Sequence, residues 1–345
     1  MRPPPTSTAL QGRFLSSSPV HTPLPLGVVP VFQSWNQFDA SAQRWAPVNS
    51  SSLPSGSHAL DTSSNLALVT WNVDAGTHSP GSRMSSILSH ILSQTPAPHV
   101  VFLQEVSRPA LATLLQDPRL QQNWLSSEAD ESNWRGHIFM TMIILSKSRF
   151  GHIHGSSSPT ALGLGPVWRV NYPSRFGRDA LCCDILDPST NVDQGSRIRL
   201  VNVHLDSLAR QPSRRPQQLS IIASMLKIAG RGLVAGDFNP VLPEDATLVE
   251  ENELIDAWTR LHAQEPGFTW GIDGTQAFPP YRLDKVAVTG LEPEEMEVMH
   301  PGVFSGSGDA SAEHGEPDWG PAPWSDHSGL RCSLRIRDEP GPNPS

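Results

Sequence analysis

The sequence predicts an α/β domain of two packed sheets with helices on the outside. Two observations carry this. Strands mostly alternate with single helices along the chain, and several strands also show a period-two pattern of apolar and polar residues. Alternation with helices asks for sheets covered by helices; period-two strands ask for sheets with two distinct faces.

The elements are read in order. Residues 1–27 are rich in Pro and Ser and read as a disordered tail. Residues 28–65 read as an extended arm and linker; Phe32, Trp35, Phe38 and Trp45 make the arm a strand or hairpin packed on the domain. The folded domain is expected over 66–337, with a second tail at 338–345. "LALVTW" is a strand, and "SRMSSILSHILSQ" a helix with Met84, Ile87, Leu88, Ile91 and Leu92 on one face. "HVVFLQEV" and "FMTMIILSK" are buried strands. "IRLVNVHL" alternates, with Asn202 and His204 on one side and Val201, Val203 and Leu205 on the other. "QQLSIIASMLKIAG" is a helix closed by Gly230. "GLVAGDFN" is a strand, the second half of "DATLVEENELIDAWTRLHA" helical, and "YRLDKVAVTG" and "SGLRCSLRI" the late strands. "SGSGDASAEHGEPDWGPAP" reads as an insertion before the last of these.

Composition narrows the function classes. The chain has 345 residues and a net charge of -9, which argues against a broad basic surface for non-specific nucleic-acid binding. Cys182, Cys183 and Cys332 form no disulfide framework and lack zinc-site spacing, so a reducing compartment, nucleus or cytoplasm, is expected. Adjacent Cys182 and Cys183 point to opposite faces of a strand as core filler. No apolar run is long enough to span a membrane. "LGLGP" lacks the pattern of a phosphate loop, and Ser325-Asp326-His327, being neighbours, cannot form the hydrogen-bonded chain of a serine triad.

Chemistry collects at strand ends. The first strand ends in Asn72 and Asp74, the second in Gln104 and Glu105, "VNVHLDS" in His204 and Asp206, and "VAGDFN" in Asp237 and Asn239. "YRLDKV" embeds Arg282 and Asp284, and Asp326 and His327 precede the final strand. A carboxylate inside a strand pattern is costly unless paired or metal-bound, and ligands gather where strand ends converge. Glu105, Asp237, Asp284 and Asp326 are hard oxygen donors suited to Mg²⁺, with Mn²⁺ as a substitute. Asn72, Asn239, His204 and His327 supply hydrogen bonds to phosphate oxygens. Together they point to metal-assisted hydrolysis of a phosphate ester. Arg214 and Arg215 form a small basic patch that could reach a phosphate.

Taken in order, "TWNVD", "FLQEV", "NVHLDS", "GDFN", "YRLDKV" and "SDHSGL" resemble the endonuclease/exonuclease/phosphatase superfamily over residues 66–336. That resemblance implies a deoxyribonuclease I-like four-layer α-β-β-α sandwich of two mixed sheets with the site at one rim. Within the superfamily, "LVTWNVDAG", "FMTMIILSKSRF", "RDALCCDI", "HLDS" with Arg215 and Gln218-Leu219, "FTW" at 268–270 and "YRLDKV" are similar to the tyrosyl-DNA phosphodiesterase 2 family. The chain departs from that family at Phe238 and Pro240-Val241, where the family has Thr and Leu-Arg. The resemblance implies roles. Glu105 is the main Mg²⁺ ligand, with Asn72 and Asp326 at the metal side. Asp237 activates water, Asn239 positions it, and His327 and His204 bind phosphate oxygens. Asp284 or Asp326 fixes the His327 imidazole, while Arg215, Trp270 and Arg282 contact substrate. The implied partner is DNA ends carrying 5′-phosphotyrosyl adducts, acted on by a monomer with no membrane. The alternative is another superfamily phosphoesterase: a DNA or RNA nuclease, or a phosphoinositide or small-phosphoester phosphatase.

Overall fold

A computed structural model describes residues 22–48, 64–134, 136–150, 162–187, 197–274, 276–304 and 322–336. The arm supplies β1 (Pro30–Gln33), β2 (Asn36–Asp39) and β3 (Arg44–Pro47). β4 (Asn65–Asn72) leads into α1 (Pro80–Leu92), and β5 (Val100–Ser107) into α2 (Arg108–Gln116) and α3 (Pro118–Asn123). β6 (Trp124–Ser126), β7 (Phe139–Ser146) and α4 (Lys147–Phe150) precede β8 (Gly163–Asn171), β9 (Asp179–Leu186) and β10 (Arg197–His204). Then come α5 (Arg215–Ala229), β11 (Gly232–Asp237), α6 (Leu248–Glu251), β12 (Ile255–Asp256) and α7 (Ala257–Leu261). β13 (Asp284–Thr289), β14 (Glu292–Met299), β15 (Val303–Phe304), β16 (Ala322–Pro323) and β17 (Gly329–Arg335) complete the described chain.

Two mixed sheets result, in the order β1-β8-β9-β10-β11-β13-β12 and β14-β17-β4-β5-β7-β6-β2-β3. Each has one parallel pair joined through a helix on its outer face: β4-α1-β5 in one, β10-α5-β11 in the other. The apolar residues sort into three layers. Leu68, Phe102, Ile143, Leu181, Cys183, Leu200, Leu233 and Val286 fill the space between the sheets. Val69, Val101, Met84, Ile87 and Leu114 pack the first sheet's outer face against α1 and α2. Cys182, Val201, Val203, Leu219 and Ile222 do the same beneath α5. This is the four-layer sandwich, and the alternation of Cys182 and Cys183 between two layers is the period of a strand at work.

The arm is a strap across both sheets. β1 pairs with β8 at the edge of one sheet, while β2 pairs with β6 at the edge of the other. Trp35, between them, is buried in the inter-sheet core, and its indole donates to the Gly165 carbonyl at 3.0 Å.

Three expectations need correction. Part of the tail assigned to 1–27 is packed: Leu24 lies against the outer core under α5 and Arg199 donates to the Pro23 carbonyl, while Leu26 is exposed. The second half of 245–263 holds β12 and the short helix α7, and a further short helix, α6, lies in the first half. Glu253 at φ 58 ends α6, and Asp256 caps α7 by accepting from Trp258 and Thr259. Arg282 is not inside a strand, because β13 begins at Asp284. Most of the expected linker and of the insertion before the last strand lies outside the described residues.

Replacing Trp35 with Ala is expected to lower the unfolding free energy by about 3–5 kcal/mol, read from urea titration of the full chain. An effect below about 1 kcal/mol, the size of a surface change, would show that the strap is a passenger.

Candidate active site

Strand register alone assembles half of the site. In the β4-β5 pair Asn72 stands beside Gln104, and in β10-β11 His204 stands beside Asp237. Asp237 is also the register partner of Asp284 on β13. The C-terminal ends of both parallel pairs therefore open on one point at the rim of the sandwich. Behind it, a buried polar link crosses between the sheets. Gln104 Nε2 donates to Asn202 Oδ1 at 2.8 Å, and Asn202 donates to the Leu103 and Met142 carbonyls. Asn202 is two residues before His204 and Gln104 one before Glu105, so the link fixes both neighbours.

Glu105 is aimed by a distortion. It lies in a bulge where the β5-β7 register slips between Leu103 and Val106, and its φ is 56. A non-glycine residue in that region costs of order 1–3 kcal/mol and is typical of sites where the side chain must be re-aimed. Its carboxylate accepts from Asn72 Nδ2 at 3.2 Å and from the Ala75 amide at 3.0 Å.

The same Asn72 Nδ2 donates to Asp237 Oδ2 at 3.1 Å, while Asp237 Oδ1 accepts from the Asn239 amide at 2.9 Å. His204 Nε2 lies 3.4 Å from Asp237 Oδ2 and 3.9 Å from Glu105 Oε1. His327 Nε2 lies 3.9 Å from Asp237 Oδ2, and its Nδ1 is 2.8 Å from Asp284 Oδ2. Asn239, at φ 46, turns its carboxamide onto the Leu205 carbonyl at 3.4 Å.

Burial makes these neighbours electrically unequal. Burial and the nearby Asp284 and Glu105 carboxylates push Asp237 up to about 7, against the pull of His327. Burial opposes the charging of His327, yet the Asp284 carboxylate in contact with it, together with Asp237 and Asp326, raises it well above the usual imidazole range. His204 goes the other way: burial, Arg178 and His327 hold it well below that range, and its Nδ1 has no partner. The two imidazoles are thus shifted in opposite directions, His327 toward its charged form and His204 toward its neutral one.

The loop carrying Asp326 and His327 is stitched to the end of β4. Ser325 Oγ donates to the Asn72 carbonyl at 2.6 Å and accepts from the His327 amide, and Trp71 Nε1 donates to the His327 carbonyl. Arg83 on α1, fully buried, binds the carbonyls of Val73, Asp74, Thr77, His78 and Trp324. It clamps the turn after Asn72 to the loop before His327. Nothing in the sequence marks it, since a lone Arg on an amphipathic helix reads as solvated.

The donor set fits a hard divalent cation at Glu105. The acids here raise one another: Asp326 is lifted by burial and by Asp74 and Glu105, as Asp237 is lifted by Asp284 and Glu105. A cation would relieve that repulsion. Among the described residues no three acid or imidazole side chains converge as a full ligand set.

Several expected residues are placed elsewhere. Asp284, not Asp326, holds the His327 imidazole; Asp326 accepts instead from Trp270 Nε1 at 3.1 Å. Trp270 itself bridges to His327 and to Tyr281. Arg215 is buried and cannot contact a substrate. Its guanidinium pairs with Asp245 at 2.7 Å and donates to the Asp206 and Leu208 carbonyls, so it shapes the loop after His204. Arg282 pairs with Asp256 at 2.7 Å, a site shared with Lys285. Both arginines are paired with a buried carboxylate, Arg215 fully buried and Arg282 partly exposed.

One feature had no sequence signal. A cavity of about 230 Å³ opens beside His204, lined by His137, Phe139, Phe176 and Arg178 among others. The Arg178 guanidinium lies 4.9 Å from the Phe139 ring centre and 6.0 Å from that of Phe176, and Phe139 stacks on His204 at 6.2 Å. A single Arg before a strand has no visible partner until the fold brings Phe139 alongside.

The family model described as Endonuclease/Exonuclease/phosphatase family matches residues 69–327. Among solved structures, D. rerio TDP2 complexed with single strand DNA product is similar, with a TM-score of 0.57 and 21% identity over 79% of this chain and 99% of that one. TDP2 from C. elegans gives 0.56 and 20%, covering 79% and 75%. The human Nocturnin catalytic domain with bound sulfate gives 0.50 and 15%, covering 78% and 93%. These likenesses show the fold. No curated protein sequence matches the chain.

Replacing Arg215 with Ala strands Asp245 in the interior and is expected to cost about 3–5 kcal/mol of stability in urea unfolding. A stable variant with weakened substrate binding alone would return Arg215 to the substrate.

Proposed function

Since this chain belongs to the endonuclease/exonuclease/phosphatase family and is a phosphoesterase, we propose that it is a Mg²⁺-dependent phosphodiesterase that removes aryl adducts, 5′-phosphotyrosyl groups in particular, from DNA ends. The observation that carries this reading is the pocket formed by Phe139, Phe176 and Arg178 next to His204. A phenol ring is flat, apolar and electron-rich, and it fits between aromatic walls and beneath a guanidinium.

Asp237, poised near neutrality, takes a proton from water held with the help of Asn239. The resulting hydroxide attacks phosphorus in line with the aryl oxygen. The P–O bond to water forms as the P–O bond to the phenol breaks, and the products are a 5′-phosphate and a phenol. Charge grows on the non-bridging oxygens, where the His327 imidazolium and the neutral His204 donate; Asp284 keeps His327 charged and aimed. Arg178 faces the departing phenolate. Phenols have pKa values near 10, so the leaving group asks for less proton assistance than an alkoxide would. A divalent cation held by Glu105, with Asn72 beside it and Asp326 near, would supply neutralisation of charge on the phosphate.

DNA is favoured by the hairpin around Trp270. Phe268, Ile272, Phe278 and Tyr281 are exposed there, next to His327. Such rings offer a stacking platform for bases, which suits a strand end held by an acidic protein better than backbone attraction does. The similar D. rerio TDP2 structure holds a single-strand DNA product.

The decisive assay is cleavage of a 5′-phosphotyrosyl oligonucleotide with Mg²⁺, with EDTA and with the Asp237→Asn variant, against a duplex with an abasic site. Metal-dependent release of tyrosine is expected, lowered about 10²–10⁴-fold by the substitution. Cutting of the abasic duplex alone would move the substrate to the nuclease branch, and silence on both would point to small phosphoesters.

A further inference from the structure

The floor of the aromatic pocket is held by a buried ion network that begins in the N-terminal strap. Arg169 on β8, almost fully buried, binds both strands that frame the pocket. Its guanidinium donates to Thr141 Oγ1 at 3.1 Å and to the Thr141 carbonyl at 2.8 Å, two residues from Phe139. It also donates to Asp179 at 3.0 Å, the residue after Arg178. Its third partner is Glu128, 2.7 Å away and 1% exposed. Glu128 in turn accepts from Gln33 Nε2 of β1 at 3.1 Å and from Asn133 Nδ2 at 2.9 Å; Gln33 also donates to the Ser127 carbonyl at 2.6 Å. Arg178 has no comparable anchor of its own: its Nε is buried without a hydrogen bond, and the rings of Phe139 and Phe176 are its near neighbours. A small second cavity lies directly behind the pocket. Val31 of the strap lines one side, and His137, Met140, Gly177 and Asp179 form a wall shared with the pocket itself.

We propose that the strap is a positioning element for this reaction: Gln33 holds Glu128, Glu128 holds Arg169, and Arg169 sets the spacing between Phe139 and Arg178. Gln33, Glu128 and Arg169 are positioning residues, since they act through the pocket and touch neither the phosphate nor the acids around it. The proposal rests on the pocket being the leaving-group subsite, and it goes beyond that reading in naming a specificity control outside the catalytic cluster. Two consequences separate it from a general loss of stability. Loosening the network widens the gap between ring and guanidinium, so recognition of an aryl group suffers. The attack on phosphorus, carried out by Asp237 and His327 on the other side of His204, keeps its rate once substrate is bound.

The test compares the full chain with Gln33→Ala, Gln33→Glu and Glu128→Gln, with Mg²⁺ present. The substrates are thymidine 5′-(4-nitrophenyl phosphate) and thymidine 5′-(methyl phosphate). Gln33→Ala removes the hydrogen bond to Glu128 along with that to the Ser127 carbonyl; the lost Glu128 contact is worth about 2- to 10-fold, so KM for the aryl ester is expected to rise by that factor, with little change in kcat and none in KM for the methyl ester. Gln33→Glu, which sets a second carboxylate against Glu128, acts in the same direction and more strongly. Amide hydrogen exchange is measured on the same proteins. Faster exchange confined to residues 139–142 and 176–180 is expected. Unchanged exchange there in all three variants, or KM rising equally for both esters, overturns the proposal. If the wild type cleaves neither ester, the leaving-group reading fails on its own. Exchange then decides the positioning role: local loosening upholds it, and its absence overturns it.

Discussion

Two aspartates set side by side in a dry interior govern much of this molecule. Asp237 and Asp284 are register partners on β11 and β13, both buried, and two neighbouring carboxylates cannot both hold full negative charge there without compensation. His327 supplies it. Its Nδ1 lies against Asp284, which favours the charged imidazole, while burial and the nearby carboxylates push Asp237 up to about 7. Everything that brings His327 to this place then has a purpose: Ser325 on the Asn72 carbonyl, Trp71 on the His327 carbonyl, and Arg83 binding the turns on either side. The fold buries these groups together, and the surroundings lift both the Asp237 carboxyl and the His327 imidazole above their ordinary ranges.

Much of this was legible in the sequence, for a definite reason. Side chains at the ends of adjacent strands are brought together by pleat and register alone, so Asn72, Glu105, His204, Asp237 and Asp284 could be gathered from their positions after apolar runs. His327 followed from lying next to the start of the last strand. The failures share a cause as well. Arg215 and Arg282 look like surface cations until Asp245 and Asp256 are seen beneath them, and those partners are set by turns whose course no periodicity records. Phe139 begins β7 and Arg178 immediately precedes β9, and they become a pocket only where these two elements meet. The bulge at Glu105 has no composition of its own. Sequence pattern reads what regular geometry places and misses what irregular geometry redirects.

The two sheets divide the labour. Asn72 and Glu105 come from one sheet, and His204, Asp237 and Asp284 from the other. The inter-sheet core and the Gln104–Asn202 link therefore do more than stabilise. They set the distance between two halves of a reaction centre, to a tolerance that close-packed side chains can keep and a loop could not.

The position of β17 has a consequence for timing. It sits between β14 and β4, so the strand that begins the folded domain finds a main neighbour only when the chain has been made almost to the end of its described length. The contact between Ser325 and Asn72 spans 253 positions. In chain order, the strands that carry His204, Asp237 and Asp284 all precede His327. Long-range closure of this kind is slow, and here it comes last at the catalytic rim. The acids of the rim thus come earlier in the chain than the imidazole that pairs with Asp284, and the rim is whole only when the last described strand is in place.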